Sequence, residues 1–178
     1  GVGDYPRETQ RTGTSNLTPP VLSRRFNLSG TLTLMKIAIL SDSHDHLDNL
    51  RRVLIEVRDT DALIHCGDLV APFVIKELGD HYKKPIHIVW GNNEGDHPLV
   101  EERVKSYSNI THHGDEARLE FGGKKIAVTH YPGRAEELAG LEEYDLVFYG
   151  HTHRTETHRA GKTLVVNPGD VMGKDDSK

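Results

Sequence analysis

The chain has 178 residues, enough to bury a substantial core in one domain, and its 35% hydrophobic and 28% charged content is that of an ordinary globular protein. With 22 Lys and Arg against 27 Asp and Glu, the formal charge is −5, so overall electrostatics give no reason to expect nucleic acid or an anionic membrane as partner. The single cysteine, Cys66, has no internal disulfide partner, and no apolar run approaches the ~20 residues of a membrane span, so a cytoplasmic protein is expected.

Residues 1–34 are rich in Gly, Thr, Ser, Pro and Arg and show no sustained helical or alternating apolar pattern. They are expected to be a disordered or non-native extension ahead of a natural start at Met35, with the domain over 35–178. Arg7, Arg11, Arg24 and Arg25 would suit a targeting peptide, but Asp4, Glu8 and the missing amphipathic pattern oppose that reading. From Met35 onward, apolar runs at 36–40, 62–66, 86–90, 125–129, 146–149 and 163–166 read as buried strands. Between the first two, Leu47, Leu50, Leu54 and Val57 share one helical face, with Asp45 expected as the cap and Asp48 mimicking a capping box. After the second strand, Pro72 suits a first helical turn, Val74, Ile75 and Leu78 form a stripe, and Gly79 is expected to stop the helix. This alternation predicts a parallel sheet with right-handed crossovers. Residues 117–121 and 124–129 predict a hairpin across Gly122-Gly123, so the second half mixes in antiparallel pairing.

The residues just past each apolar run carry the chemistry. Leu40 leads to Ser41-Asp42-Ser43-His44, Cys66 to Gly67-Asp68, and Trp90 to Gly91-Asn92-Asn93-Glu94. Thr129 leads to His130, Tyr149 to Gly150-His151-Thr152-His153, and Val166 to Asn167-Pro168-Gly169-Asp170. In open α/β sheets functional groups gather beyond the carboxyl ends of strands, and glycine admits the close backbone approach that a crowded polar centre needs. A lone Asp there is usually a turn residue or cap, and His46, His81, His87, His97, His112, His113 and His158 read as surface or satisfied histidines. His65, inside a strand, reads as a hydrogen-bonded core residue. The joint pattern is different, because several independent strand ends all supply oxygen or imidazole donors. Two carboxylates, one amide and four imidazoles suit Mn, Fe, Zn or related ions and argue against a closed structural zinc site. Such a set is too large for one ion and suits two that share a carboxylate. Two divalent ions outweigh Asp42, Asp68 and one hydroxide by a single positive charge, which would hold a phosphate anion. A metal pair about 3.5–4 Å apart lowers the pKa of its water and clamps both oxygens of an in-line displacement.

The order of these motifs resembles the calcineurin-like metallophosphoesterases, which carry Asp-x-His, Gly-Asp, Gly-Asn with an acid two residues on, a single His, then Gly-His-x-His. The short spacings and Asn167-Pro168-Gly169 look most like their small bacterial and archaeal phosphodiesterase branch. The resemblance implies an α/β/β/α fold, a two-sheet sandwich of the metallophosphoesterase type. It implies that Asp42, His44 and His153 hold one metal, that Asn92, His130 and His151 hold the other, and that Asp68 bridges them. The nucleophile would be hydroxide on the pair, with no covalent enzyme intermediate. Manganese is the first expectation, with nickel, iron, zinc or cobalt as alternatives.

Three departures bear on substrate. Asn93 stands where many relatives place a histidine that contacts phosphate and protonates the leaving group; Asn93 keeps the candidate contact but not the acid, whose help is worth roughly 10²–10⁴-fold. Tyr131 follows His130 where glycine is common, and would narrow the pocket. The chain also ends soon after Gly169, where relatives continue, which predicts a domain short of its last strands and an exposed sheet edge. The expected activity is broad hydrolysis of activated phosphodiesters, with a small phosphate ester as partner and a homo-oligomer as an open expectation. A phosphomonoesterase or nucleotide phosphatase is the near alternative, and a non-catalytic scaffold of the same fold the distant one. Arg134 and Arg154, beside motif histidines, are further candidates for phosphate contact.

Overall fold

In the computed structural model, which describes residues 21–28 and 31–173, strand β2 (Thr31–Leu40) sends Ile37 and Ile39 to one face and Ala38 and Leu40 to the other, and all four are buried. A strand apolar on both faces needs a cover on both. On one side the cover is helical. Strands β3 (Ala62–His65), β4 (Ile86–Ile88) and β5 (Ile110–His112) follow β2 in parallel order. Their crossovers are α1 (Leu47–Glu56), α2 (Phe73–His81) and α3 (His97–Lys105). Leu50, Val53, Leu54, Val74, Ile75, Leu78 and Val100 close over Ala38, Leu40, Leu63, Ile86 and Ile88.

The other cover is a second sheet of order β6-β7-β8-β10-β9. It comprises β6 (Glu116–Phe121), β7 (Lys124–Thr129), β8 (Leu146–Phe148), β9 (Thr155–Ala160) and β10 (Thr163–Pro168). The β6–β7 hairpin turns through Gly122 and Gly123, both at positive φ, as expected from the sequence. Strands β7, β8 and β10 run parallel, and β9 closes the edge antiparallel to β10. Ile37, Ile39, Ile64, Cys66 and Val89 of the first sheet interlock with Ala117, Ile126, Val128, Phe148 and Val166 of the second. Helix α4 (Pro132–Gly140) covers the outer face with Ala135, Leu138 and Ala139 on Ala127, Val147 and Val165. The layers are therefore α/β/β/α.

Several local expectations give way. No element was expected before Met35, yet β1 (Val21–Leu28) pairs antiparallel with β2, Val21 opposite Ala38 and Leu28 opposite Thr31; that backbone pairing covers the edge of β2. The rest of the expected extension, residues 1–20 and 29–30, lies outside the described residues. Asp45 does not cap α1: its carboxylate accepts from the Ala71 N–H at 2.8 Å, and the cap is His46, whose Nδ1 accepts from Asn49 N–H at 3.3 Å. Pro72 stands at the cap of α2, one residue before the helix. Gly79 does not stop α2 but lies within it, because Tyr107 packs where a Cβ would be. The segments α3, α4, β5 and β9 were not foreseen. Helix α3 buries only Val100, and α4 shows the core mostly alanines, so neither prints a strong apolar stripe.

A candidate metal centre between the two sheets

The parallel strands of both sheets end on the same side, and the polar motifs sit in the loops that leave them. Asp42 and His44 follow β2, Asp68 follows β3 and Asn92 follows β4; His130 follows β7, and His151 and His153 follow β8. These loops turn sharply: Asp42, His44, Asp68, His151 and His153 all have positive φ, between 41° and 69°. Non-glycine residues rarely sit there, and such strain collects at functional sites. The glycines make room for the rest. A Cβ on Gly67 would stand 2.7 Å from Gly91 N and 2.9 Å from His130 Nδ1. One on Gly91 would strike the Asp68 carboxylate and backbone nitrogen, and one on Gly150 would strike Ser41 Oγ and reach Asp42 Oδ2 at 2.7 Å. Each motif glycine is thus the site of close approach of one loop to the next.

Around one half of the centre, Asp42 Oδ1 lies 3.7 Å from His44 Nε2 and 3.5 Å from His153 Nε2. Around the other, Asn92 Oδ1 lies 2.9 Å from His130 Nε2 and 2.7 Å from His151 Nδ1. Asp68 stands between them, with Oδ2 3.4 Å from His44 Nε2 and Oδ1 3.4 Å from His130 Nε2. The ligating atoms of Asp42, His44 and His153 lie within 4.8 Å of one another, as do those of Asp42, Asp68 and His130. The structure therefore brings all seven sequence-selected residues into one continuous cluster.

The donor chemistry fits a cation. His130 Nδ1 lies 2.8 Å from the Cys66 carbonyl, which only accepts, so this nitrogen carries the proton of the neutral ring. Its Nε2 lone pair then faces the Asn92 oxygen and the Asp68 carboxylate, acceptor against acceptor. Among the described residues, Asp42 Oδ1 and His44 Nε2 are buried without a hydrogen-bond partner, an arrangement that is costly unless something positive satisfies both. Burial would raise the Asp68 carboxyl, but the backbone and side-chain N–H groups of Asn93 hold it below the usual carboxylate range. Asp68 is thereby kept in the ionised form that a metal ligand needs.

Several supporting groups carried no assigned role in the sequence reading. Ser41 Oγ and the His151 N–H both donate to Asp42 Oδ2, leaving Oδ1 to face the centre. Glu94 accepts from three backbone N–H groups, those of Leu69 (3.2 Å), Val70 (3.1 Å) and Gly91 (3.0 Å), and so ties the Asp68 loop to the Asn92 loop. Asn167 donates to the Gly150 carbonyl at 2.8 Å and to Thr152 Oγ1 at 3.0 Å. Asp170 Oδ2 lies 2.7 Å from His153 Nδ1. The signal that was available for these is their place within or beside the motifs.

Other expectations sort out differently. Asn93 donates its N–H to Asp68 Oδ1 at 2.8 Å and its amide to Asp68 Oδ2 at 3.0 Å, so its contact in this structure is with the Asp68 carboxylate. Arg134 is not free for phosphate: it pairs with Glu116 and Glu137. Tyr131 is 45% exposed, its ring 5.4 Å from that of His151. His65 is fully buried; its Nδ1 accepts from the Gly67 N–H, and its Nε2 has no hydrogen-bond partner among the described residues. Burial, reinforced by His130, pushes its pKa down to about 3. Of the remaining histidines, His97 stacks on Trp90, His87 bonds His113 at 2.9 Å, and His158 meets Glu136.

Comparison with known proteins gives the family and the fold. Residues 35–178 match the calcineurin-like phosphoesterase superfamily domain. The chain is 37% identical over 145 residues to phosphodiesterase MJ0936 of Methanocaldococcus jannaschii, spanning 78% of this chain and 86% of that one. It is 28% identical over 153 residues to the probable metallophosphoesterase YsnB of Bacillus subtilis, spanning 77% and 75%. Among solved structures, an archaeal phosphodiesterase superposes with a TM-score of 0.73 at 35% identity, covering 80% of this chain and 88% of that one. With its motifs in family order and the match running from Met35 onward, the chain belongs to the calcineurin-like phosphoesterase superfamily, enzymes that work with divalent metals.

Proposed function

We propose that the protein hydrolyses small phosphodiesters at a binuclear centre, with one divalent ion on Asp42, His44 and His153, a second on Asn92, His130 and His151, and Asp68 shared between them. The observation that carries this is the convergence of candidate ligands from both sheets on Asp68, His44 at Oδ2 and His130 at Oδ1, beside Asp42 Oδ1 and His44 Nε2, which are buried without a hydrogen-bond partner among the described residues. Held by these residues, divalent ions would supply Lewis acidity and lower the pKa of a water for attack on phosphorus. The chain's own part is to hold the ligands in place through the strained loops, and to keep Asp68 ionised through Asn93. No histidine stands at position 93 to protonate a leaving group, which favours esters whose leaving groups depart without that help. The exposed ring of Tyr131 offers a wall for an apolar leaving group. Manganese is the metal we expect, and a cytoplasmic setting accords with the lone buried thiol of Cys66; among the described residues no helix is long and apolar enough to cross a membrane.

The test is hydrolysis of bis-p-nitrophenyl phosphate beside p-nitrophenyl phosphate by chelator-stripped protein, with Mn, Ni, Mg or Zn restored. Metal-restored cleavage that favours the diester and is lost in Asp68→Asn is the expected result. Preference for the monoester would assign a phosphomonoesterase instead. No cleavage of either ester by protein carrying two ions would leave a scaffold.

A further inference from the structure

The two halves of the centre are backed unequally. Behind His153 stands Asp170, whose side chain is 8% exposed, with Oδ2 2.7 Å from His153 Nδ1 and Oδ1 accepting from the Gly173 N–H at 3.0 Å. A carboxylate only accepts, so the shared proton belongs to Nδ1 and the Nε2 lone pair is aimed at Asp42 Oδ1. The equivalent position behind His130 is held by the neutral Cys66 carbonyl, and the oxygen ligand on that half is the neutral amide of Asn92. Counting Asp68 as common to both, the Asp42 half carries one anionic ligand and one anionic backing group, and the Asn92 half carries neither.

Asp170 is also fixed in place. The Val171 N–H donates to the Ser41 carbonyl at 3.0 Å and the Met172 N–H to the Asp42 carbonyl at 3.2 Å. Asn49 donates to the carbonyls of Val171 and Met172, both at 3.1 Å, and the Val171 side chain is buried in the helix-side core. The segment that carries Asp170 is therefore strapped to the loop that carries Asp42. A carboxylate bonded to a ligating histidine fixes its tautomer, raises its basicity and strengthens metal binding.

We propose that Asp170 is a positioning residue that makes the Asp42, His44 and His153 set the tighter of the two metal sites and the first to fill, an inference that rests on the binuclear reading above. The experiment is titration of Mn²⁺ into chelator-stripped wild type, Asp170→Asn and Asp170→Glu, followed by calorimetry and by the paramagnetic resonance of free Mn²⁺. Wild type takes up two ions in two separable steps. Asp170→Asn, which keeps the shape and removes the charge, weakens the tighter step by about 10–100-fold and leaves the weaker step unchanged, while Asp170→Glu restores most of the loss. Nitrogen resonances of His153 report the cause: the proton sits on Nδ1 in wild type and divides between the two nitrogens in Asp170→Asn. Two steps unaltered in Asp170→Asn, or both weakened equally, overturn the proposal while the binuclear reading stands. A wild type that binds a single ion overturns both.

Discussion

Glu94 is the hinge on which the first-sheet half of the centre depends, and Glu94→Gln tests that. Its carboxylate receives the N–H groups of Leu69 and Gly91 on Oε1 and of Val70 on Oε2. Glutamine can keep one oxygen for two of these donors but turns an NH₂ toward the third, donor against donor. Hydrogen bonds to a charged group contribute about 1.5–3 kcal/mol and a desolvated donor left unpaired costs about 1–3 kcal/mol. A loss near 2–4 kcal/mol is therefore expected, roughly 6–12 °C in Tm for a chain of this size. The strain it restrains adds weight, since Val70, which it holds, lies at φ 78°, two residues past Asp68 at φ 59°, and a β-branched residue there is an outlier. The assay is calorimetric melting of the chelator-stripped protein beside Glu94→Asp, with Mn²⁺ affinity measured on the same samples. The metal step that uses Asn92 should weaken more than the other, because Gly91 and Asn92 lose their tether. A melting point within about 2 °C of wild type, together with unaltered metal binding, would refute the reasoning, since such a shift is at most about 1 kcal/mol.

Gly150→Ala should cut metal-dependent turnover by about 100-fold, because its Cβ displaces Asp42 and misplacement of about 1 Å carries that penalty; turnover within threefold would show that the loop yields freely. Gly79→Ala should lower stability by about 1–2 kcal/mol despite a better helix propensity, since the methyl strikes the Tyr107 ring. The loss should vanish in the Tyr107→Ala background, and a Gly79→Ala protein more stable than wild type would refute the packing. Acid should destabilise the chelated protein from about pH 6.5 downward. Burial holds His65 at about 3, and burial with His113 alongside holds His87 and His112 at about 4. The unfolded state then binds more protons than the folded one across that window, and stability falls as pH falls. For His65 alone the loss at pH 5 is about 2 kcal/mol. His65→Leu should flatten the urea-derived stability curve by about one proton, and parallel curves would contradict it.

The strands and the candidate ligands were legible for one physical reason. Runs such as Ile37–Leu40 are buried on both faces, so their polarity changes abruptly where the strand leaves the core, and Asp42, Asp68 and His151 stand at those breaks. Helix α4 lacked such contrast: Ala135 and Ala139 fill a shallow seam, and Pro132-Gly133 reads as a turn. Contacts between distant segments outside the motifs were not legible. Nothing near Arg134 in sequence announces that Glu116, on the other side of the β6–β7 hairpin, will pair with it. Asp170 is separated from His153 by a whole antiparallel pair, β9 and β10, and only the folded chain makes them neighbours. Gly79 looked like a helix terminus because the local signal for a stop and the tertiary demand for a missing side chain are the same letter.

The candidate ligands are divided between the sheets, with Asp42, His44, Asp68 and Asn92 on loops of the first and His130, His151 and His153 on loops of the second. Ions bound among them would act as a rivet through the seam of the sandwich, joining layers that otherwise meet mainly through apolar side chains. Free metal at about 100 times the dissociation constant adds about 2.7 kcal/mol to the folded state per site. The abundance of intact protein in a cell would then follow the supply of metal, with starvation opening the seam to proteases before any substrate is missed.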